Sequence, residues 1–242
     1  MDTIALVGNP NSGKTTLFNA LTGSNQHVGN WPGVTVEKKE GKIKYKNKEY
    51  NIVDLPGTYS LGAYSEDEIV ARDYILKGNP DIVINVVDAT NIERNLYLTT
   101  QLLEMGTKVI LALNMMDEAK AKDIEIDLGL LSKKLGIPVV ATVASKRKGL
   151  DELLEKVVSY FDTNPTIDAI SYGENIDKEL DNIKNLLNTS TYDYPMDWVA
   201  IKLLEGDKEI INYVKEKGSD ELKDKLLEIE NHSLDYEMEI ID

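Results

Sequence analysis

Short apolar runs alternate with longer amphipathic segments through the first two thirds of the chain. Continuous apolar runs, which are typical of strands covered on both faces, occur at residues 4–7, 81–88, 108–113 and 137–142. Two further strand-like runs, at residues 37–45 and 48–53, are joined by Lys46-Asn47 and predict a hairpin. The pattern therefore predicts six strands.

Helical spacing of apolar residues fills the intervals between these strands. It predicts helices at residues 16–21, 66–76, 91–104, 128–135 and 150–161. Residues 23–36, rich in glycine and asparagine, show no period and predict a loop. This alternation predicts an α/β fold, a doubly wound and mostly parallel six-stranded sheet whose ligand lies at the carboxyl ends of the strands.

The pattern changes near residue 162. Residues 162–172 have little periodicity and are interpreted as a linker, and the apolar spacing beyond them is helical at residues 174–187, 198–204, 208–217 and 221–230. We therefore predict two domains: an α/β domain at residues 1–162 and a small all-helical domain at residues 163–242.

Charge also separates the two predicted domains. The 242 residues include 27 Lys+Arg and 42 Asp+Glu; residues 163–242 hold 8 and 20 of them, a net charge of −12. Such an acidic tail repels polyanions, so nucleic acid is not expected as a partner. The chain has no cysteine, which excludes disulfides and thiolate metal sites and agrees with a reducing cytoplasm. The apolar run at the N-terminus is too short for a signal peptide, and no run approaches the roughly 20 residues that span a bilayer.

The segment between the first predicted strand and helix has the pattern of a phosphate-binding loop. Gly8 and Gly13 lie five residues apart, and Lys14 and Thr15 follow directly. In such a loop the backbone N–H groups and the helix N-terminus point at an anion, the lysine contacts the β- and γ-phosphates, and the hydroxyl ligates Mg²⁺. The alternative is a glycine-rich turn without a ligand, and the strand–loop–helix context argues against it.

Two motifs at the ends of predicted strands favour a guanine nucleotide. Asp54 offers a carboxylate to Mg²⁺ through water, and Gly57 offers an N–H to the γ-phosphate. Asp117, three residues after Asn114, places a carboxylate where it accepts from both N1–H and the 2-amino group of guanine, a donor pair that adenine lacks. The alternative for Asp117 is a helix N-cap. Its position at a strand end favours base recognition.

The predicted loop at residues 23–36 contains the residues expected to respond to the γ-phosphate. Thr35 is the candidate for a second hydroxyl ligand of Mg²⁺, which would bind only while the γ-phosphate is present. The alternative is that Thr35 is simply a β-branched residue at the start of the following strand. Trp31 is unusual in this polar loop. The alternative is a core position, but its neighbours Asn30, Pro32 and Gly33 favour a ring that is exposed or packed only conditionally.

The order and spacing of these motifs resemble motifs G1 to G4 of the translation-factor-class GTPases. More narrowly, residues 29–37, 54–61, 68–74 and 85–91 resemble the cytosolic G domain of the ferrous iron transport protein B family. The resemblance is dense over residues 1 to about 161. In the tail it rests on residues 198–207, which are similar to the helical spacer domain of that family.

The resemblance implies a module that binds and hydrolyses GTP, with GTP or GDP and Mg²⁺ as ligands. It implies a regulating or driving role in ferrous iron uptake at the cytoplasmic side of the cell membrane. In the family a membrane iron-permease domain follows the helical domain, so the chain is expected to be the soluble portion of a longer transporter. Whether it forms a homo-oligomer is left open.

Two alternative functions are compatible with the G motifs. A free-standing GTPase of ribosome assembly or tRNA modification usually carries a basic RNA-binding domain, and the acidic tail argues against it. The other alternative is a nucleotide-gated binding switch in which turnover is incidental.

Three positions depart from the pattern of the G motifs. Met115 replaces the usual lysine of G4, and the G5 signature falls at Ala144-Ser145-Lys146, where the Ser145 N–H is the expected donor to guanine O6. Thr58 follows Gly57 where Ras-like proteins carry a glutamine that orients water, so slow hydrolysis is expected.

A monovalent cation is the expected source of the missing charge stabilisation. The side-chain carbonyl of Asn11 can coordinate such an ion beside the β- and γ-phosphates, and the resemblance to potassium-activated GTPases implies K⁺. The alternative is that Asn11 merely permits a tight turn.

The predicted site residues follow from these motifs. Nucleotide contacts are expected from Gly8, Asn9, Pro10, Asn11, Ser12, Gly13, Lys14, Thr15, Thr16, Gly33, Val34, Thr35, Asp54, Leu55, Pro56, Gly57, Asn114, Met115, Asp117, Ala144, Ser145 and Lys146. Catalytic roles are expected for Asn11, Lys14, Thr35, Gly57 and Thr58. Mg²⁺ is assigned to Thr15, Thr35 and, through water, Asp54, and K⁺ to Asn11. No iron site is expected, because His27 and His232 lie far apart and have no cysteine nearby.

Overall fold

The structure is a computed structural model that describes residues 2–62, 64–161, 163, 170–188 and 191–218. The chain divides into two compact units. Residues 1–103 and 107–168 form the first, which we call the α/β unit, and residues 104–106 and 169–242 form the second, which we call the helical unit. The predicted division between residues 1–162 and 163–242 stays a prediction.

A seven-stranded sheet forms the centre of the α/β unit. Its strands are β1 (Thr3–Gly8), β2 (Gln26–Asn30), β3 (Glu37–Tyr45), β4 (Lys48–Asp54), β5 (Ile82–Asp88), β6 (Val109–Asn114) and β7 (Val139–Ala141). The spatial order is β2-β3-β4-β1-β5-β6-β7. Strands β4, β1, β5, β6 and β7 are parallel to one another. At one side of the sheet β3 runs antiparallel to β4, and β2 runs antiparallel to β3. The predicted α/β class and mostly parallel sheet are therefore confirmed.

The sheet has one strand more than the six predicted. Strand β2 lies inside the segment predicted as a loop, and all five of its residues are exposed. It pairs antiparallel with β3, from Gln26 opposite Gly41 to Asn30 opposite Glu37. The loop prediction was wrong here because β2 is held by backbone hydrogen bonds to its neighbour and buries no alternating face that a sequence pattern could reveal.

Six helices precede residue 162 in the described chain: α1 (Lys14–Thr22), α2 (Glu66–Gly78), α3 (Ile92–Glu104), α4 (Met116–Ala121), α5 (Leu128–Leu135) and α6 (Leu150–Phe161). Short 3₁₀ turns lie at Ala89–Asn91 and Ala144–Lys146. Helix α6 shows why the apolar spacing was informative, since its buried residues Leu150, Leu153, Leu154 and Val157 repeat at three or four positions. Ser65 caps the N-terminus of α2, since its hydroxyl accepts from the Glu68 N–H at 3.2 Å.

The core places the carboxyl ends of four parallel strands at one edge of the sheet. Residues Ile4, Leu6, Ile52, Ile84 and Ile110 are buried among the side chains of α1 and α6. The register sets Leu6 of β1 opposite Asp54 of β4, and Asp88 of β5 opposite Asn114 of β6. Polar residues that end these strands are therefore neighbours at the same edge.

The helical unit contains three described helices: α7 (Glu174–Leu187), α8 (Met196–Leu204) and α9 (Lys208–Lys217). Helix α8 is buried along its length from Trp198 to Leu204. The Asp207 carboxylate caps α9 by accepting from Glu209 and Ile210 N–H groups at 3.0 and 3.1 Å. The helix predicted at residues 221–230 and most of the predicted linker lie outside the described residues.

In the described ranges every helix is too short or too polar to cross a bilayer.

Glycine is required where the segment after β7 turns into α6. Gly149 has a φ of +77°, and a Cβ there would lie 2.1 Å from the Ala141 carbonyl oxygen. We expect Gly149→Ala to lower the free energy of unfolding by at least about 3 kcal/mol, because a left-handed backbone and a clash with fixed backbone add. Gly136 is the matched control, since its φ is +68° and a methyl group added there would have nothing within 4 Å; Gly136→Ala should cost only about 1 kcal/mol. Urea unfolding followed by circular dichroism measures both, and equal losses would contradict the steric argument.

Candidate functional site

The loop between β1 and α1 has the geometry of an anion-binding turn. Gly13, with a φ of +84°, precedes α1, and its carbonyl accepts the Leu17 N–H at 2.9 Å. A Cβ at Gly13 would lie 2.3 Å from the Asn114 amide nitrogen, so only glycine fits. Asn11 is exposed and adopts a left-handed backbone with a φ of +67°. The loop therefore presents the N-terminus of α1 to solvent at the strand edge.

Two side chains inside this loop are buried without a hydrogen-bond partner among the described residues. Asn9 is 2% exposed and Ser12 is 1% exposed, and neither the Asn9 amide nor the Ser12 hydroxyl is paired. Buried polar groups normally find a partner, because an unpaired one costs about 1–3 kcal/mol. These two unpaired side chains indicate that the loop can form further polar contacts.

A buried ion pair joins the loop to the end of β4. The Lys14 ammonium contacts Asp54 Oδ1, and both side chains are almost fully buried. Burial raises the pKa of Asp54, and the neighbouring Lys14 opposes that rise. Thr15 and Thr16 lie beside Lys14 at the start of α1 and are exposed. Lys14, which is predicted to contact phosphate, and Asp54, which is predicted to bind Mg²⁺ through water, are therefore in contact.

The Asn114 side chain joins three separate predicted segments. Its Nδ2 donates to the Ser12 carbonyl at 3.0 Å, and its Oδ1 accepts from the Ala144 N–H at 3.0 Å and from the Thr142 hydroxyl at 3.2 Å. Both the nitrogen and the oxygen of this amide are thus bonded to neighbouring loops. Asn114 therefore holds the phosphate loop beside the Ala144–Lys146 turn.

Asp117 lies in the first turn of α4, and its side chain faces the Ala144–Lys146 turn. The residue before the helix is Met115, with a φ of +62°, so the alternative that Asp117 is the N-cap is wrong. Asp117 Oδ1 accepts from the Glu118 N–H at 3.1 Å, and Oδ2 accepts from the Lys146 ammonium at 2.6 Å. The hydrogen bond from Lys146 holds the pKa of Asp117 below its usual value. Ser145 and Lys146 are exposed.

The segment after β4 returns to the phosphate loop. The Leu55 N–H donates to the Leu6 carbonyl at 3.0 Å, and the Thr58 N–H donates to the Gly8 carbonyl at 3.3 Å. Gly57 lies close to Pro10, since a Cβ at Gly57 would lie 3.5 Å from the Pro10 Cα. Residues 54–57, including Pro56, are thereby placed beside the loop.

The Thr58 side chain points into the loop that follows it. Its side chain is buried, and its hydroxyl donates to the Ser60 carbonyl at 2.5 Å. A hydroxyl committed to that carbonyl is poorly placed to orient a water molecule.

Two residues that the sequence did not single out hold the loop that follows Thr58. Glu68 accepts from the Ser60 hydroxyl at 2.9 Å and from the Tyr64 N–H at 3.1 Å. Gln101 accepts from the Leu61 N–H at 2.7 Å. The spacing Ser65-x-x-Glu68 is a capping-box signal that identifies Glu68, whereas Gln101 is 40 residues away in sequence and has no local signal.

The turn that contains Gly33, Val34 and Thr35 is a separate part of the site. It is closed by the Trp31 N–H, which donates to the Val36 carbonyl at 2.9 Å. Thr35 is exposed, and among the described residues no hydrogen bond or ion pair joins this turn to the phosphate loop.

Trp31 anchors that turn to α2. Its ring is only 9% exposed, meets Tyr74 edge-on at 5.2 Å between centroids, and has the Lys38 ammonium at 4.9 Å. The ring is therefore packed and not exposed, and the dependence of this packing on the bound nucleotide stays a prediction.

The described ranges contain no group of three or more His, Asp or Glu side chains arranged to hold a metal ion. His27 lies exposed on β2.

Comparison with known proteins gives consistent matches over the chain. Residues 2–157 match the family model of ferrous iron transport protein B, and residues 172–241 match the model of the FeoB cytosolic helical domain. The Fe(2+) transporter FeoB of Escherichia coli (strain K12) is 43% identical over 244 residues, a match that covers 99% of this chain. The chain spans 31% of the length of that relative.

Solved structures resemble the chain at a similar level of sequence identity. The cytosolic domain of the T. maritima FeoB iron transporter in a GDP form has a TM-score of 0.85 at 45% identity, covering 100% of this chain and 96% of that one. The GMPPNP form of the same domain has a TM-score of 0.86 at 44% identity, covering 100% and 98%.

The hydrogen bonds of Asn114 lead to a stability prediction. Asn114→Ala should lower the free energy of unfolding by about 2–4 kcal/mol, because the Ala144 N–H and the Ser12 carbonyl lose a buried partner. Asn91 is the control, since its amide donates at the surface to Asp88 at 2.9 Å; Asn91→Ala should cost less than about 0.5 kcal/mol. Urea denaturation of both variants measures the difference. Similar small losses would show that the Asn114 network does not hold the site together.

Proposed function

Because the chain belongs to the ferrous iron transport protein B family, we propose that it binds guanine nucleotides and hydrolyses GTP. The observation that carries this proposal is the Asn114 side chain, which joins the loop at residues 8–16 to the Ala144–Lys146 turn. Lys146 of that turn contacts Asp117. This arrangement supports a phosphate-binding end and a base-binding end at a fixed separation. The T. maritima relative was solved in GDP and GMPPNP forms, which supports the same class of ligand here.

The phosphates are assigned to the loop at residues 8–16. The α1 N-terminus and the loop N–H groups offer donors to an anion, and a phosphate would give the Lys14 ammonium a second anionic partner beside Asp54. The unpaired polar groups of Asn9 and Ser12 fit a loop made for polar ligands.

Mg²⁺ is proposed as the companion of the phosphates. The Thr15 and Thr35 hydroxyls and, through water, Asp54 would hold it, and hard oxygen donors of this kind suit Mg²⁺. When bound, the ion neutralises charge on the β- and γ-phosphates. Gly33 and Val34 would lie beside the γ-phosphate with Thr35.

The guanine base is assigned to Asp117. Its carboxylate stays ionised because its pKa is lowered, so both oxygens are acceptors for the guanine donor pair. Met115 would contribute apolar contact to the base, and the Ser145 N–H would donate to O6. A charged acceptor left unpaired by the wrong base gives strong discrimination.

Hydrolysis is proposed to be slow without further help. Thr58 has its hydroxyl bonded to the Ser60 carbonyl, so the N–H of Gly57 and the charge of Lys14 remain as the contributions of the protein. Asn11 is exposed in the loop, where its carbonyl oxygen is available to a monovalent cation. We assign K⁺ to this position.

At the level of the whole protein, we propose that the chain regulates or drives ferrous iron uptake by a membrane permease domain. This would place it at the cytoplasmic side of the cell membrane. The family membership and the acidic tail disfavour the ribosome-assembly or tRNA-modification alternative, and no nucleic-acid partner is proposed. The binding-switch alternative is favoured by one observation, the packing of Trp31 on α2, which ties the Thr35 turn to another element.

Base selectivity is the direct test of the proposal. The chain should bind GDP at least about 100-fold more tightly than ADP, and Asp117→Asn should exchange that preference for xanthosine diphosphate, because an amide donates where a carboxylate only accepts. Asp123→Asn makes the same chemical change at an exposed carboxylate in the next loop and should leave the preference intact. Calorimetric titration measures all three. Equal affinity of the unaltered chain for GDP and ADP would refute the assignment of Asp117.

The cation assignment is tested by the rate of hydrolysis. Single-turnover GTP hydrolysis should be at least about tenfold faster in K⁺ than in Na⁺ at equal ionic strength, because the ion adds positive charge beside the developing negative charge. Asn11→Ala should abolish the difference while GDP binding stays nearly unchanged. Equal rates in the two salts for the unaltered chain would remove Asn11 from the catalytic residues.

A further inference from the structure

We propose that Arg94 is a positioning residue for GTP hydrolysis, which holds the loop that follows Thr58 by stacking on the Tyr59 ring. The inference rests on the proposed function and deepens it. It names side chains that hold the Gly57 N–H beside the phosphate loop, and neither Arg94 nor Tyr59 is among the predicted site residues.

The Arg94 guanidinium lies over the Tyr59 ring. Its carbon Cζ is 4.1 Å from the ring centroid, inside the distance of about 6 Å within which an aromatic face attracts a cation. Both side chains are exposed, Tyr59 by 42%. In the described part of the chain, no hydrogen bond, ion pair or second ring contact holds either side chain. The stacking on Arg94 is therefore the contact that restrains the Tyr59 ring.

The helix that carries Arg94 is fixed to the end of a central strand. The next residue, Asn95, is 4% exposed, and its Oδ1 accepts from the N–H of Asp88, the last residue of β5, at 3.2 Å. Its Nδ2 donates to the Asn91 carbonyl at 2.9 Å. The first turn of α3 is therefore tied to the strand edge where the site lies, and the Arg94 side chain begins at a backbone whose position is set by the sheet.

Helix α3 holds the same loop at a second point. Gln101 lies seven residues after Arg94, a spacing that places both side chains on one face of the helix, two turns apart. Gln101 is 3% exposed and accepts from the Leu61 N–H at 2.7 Å, and the Leu61 side chain is fully buried. The buried hydrogen bond anchors the far side of the loop. Arg94 holds the side next to Thr58.

Tyr59 is two residues from the N–H that is proposed to serve the γ-phosphate. Gly57 lies beside the phosphate loop, since a Cβ there would be 3.5 Å from the Pro10 Cα. The Thr58 hydroxyl donates to the Ser60 carbonyl, so the backbone of this segment is what remains for the γ-phosphate. A backbone donor stabilises developing charge only when it is held where that charge forms. Loss of the stacking should therefore slow hydrolysis and leave GDP binding unchanged, because GDP has no γ-phosphate.

Single-turnover GTP hydrolysis in K⁺ tests the role of the pair. Arg94→Met keeps an unbranched side chain and removes the charge, and it should lower the rate constant about three- to fivefold, the size of a cation–ring contact at an exposed site. Arg94→Lys and Tyr59→Phe each keep a cation over a ring and should retain at least about half of the rate. Lys46→Met is the matched control, because the Lys46 ammonium lies 5.4 Å from the Tyr45 ring in the β3–β4 hairpin; its rate should equal that of the unaltered chain.

A double variant separates positioning from general damage. If Arg94 and Tyr59 act through each other, Arg94→Met combined with Tyr59→Leu should be no slower than the slower single variant, whereas independent effects would multiply. Calorimetric titration with GDP and thermal melting accompany the rates, and both should be unchanged in Arg94→Met. An unchanged rate in Arg94→Met, a multiplied loss in the double variant, or a loss of rate with an equal loss of GDP affinity would each overturn the inference while the proposed function stands. Failure of the unaltered chain to hydrolyse GTP would instead overturn the proposed function, and this inference with it.

Discussion

The buried amide of Asn114 is the interaction on which the site depends. Loops at strand ends have no ladder of their own to hold them, so their relative positions must come from side chains. Asn114 uses its amide nitrogen for the Ser12 carbonyl and its oxygen for the Ala144 N–H and the Thr142 hydroxyl. Because these hydrogen bonds are shielded from water, one residue sets the separation between the loop at residues 8–16 and the Ala144–Lys146 turn.

Two aspartates of the site show how its surroundings set the properties of a carboxyl group. Asp54 is buried, and burial raises its pKa against the opposing effect of Lys14. Asp117 is partly exposed, and the hydrogen bond from Lys146 lowers its pKa. Both carboxylates have a lysine partner; desolvation outweighs that partner at Asp54, whereas the Lys146 hydrogen bond outweighs desolvation at Asp117. The Lys14–Asp54 pair is buried, whereas the Lys146–Asp117 pair is accessible to solvent.

Helix α2 contacts both the Thr35 turn and the loop that follows Thr58. Tyr74 packs against Trp31 of the Thr35 turn, and Glu68 accepts hydrogen bonds from Ser60 and Tyr64 in the loop after Thr58. A change in either segment would therefore act on the same rigid element. Coupling of this kind needs no contact between the two segments themselves.

The sequence by itself determined the α/β class, six of the seven strands and the family, because apolar periodicity and local motifs are contained in consecutive residues. The tertiary structure alone decided the partners of Asn114, the pairing of Lys146 with Asp117, and the position of Gln101 against Leu61. It also decided that β2 is a strand and that Trp31 is buried. Each of these depends on which distant backbone or ring lies opposite, and fully exposed or isolated residues show no period from which that partner can be inferred.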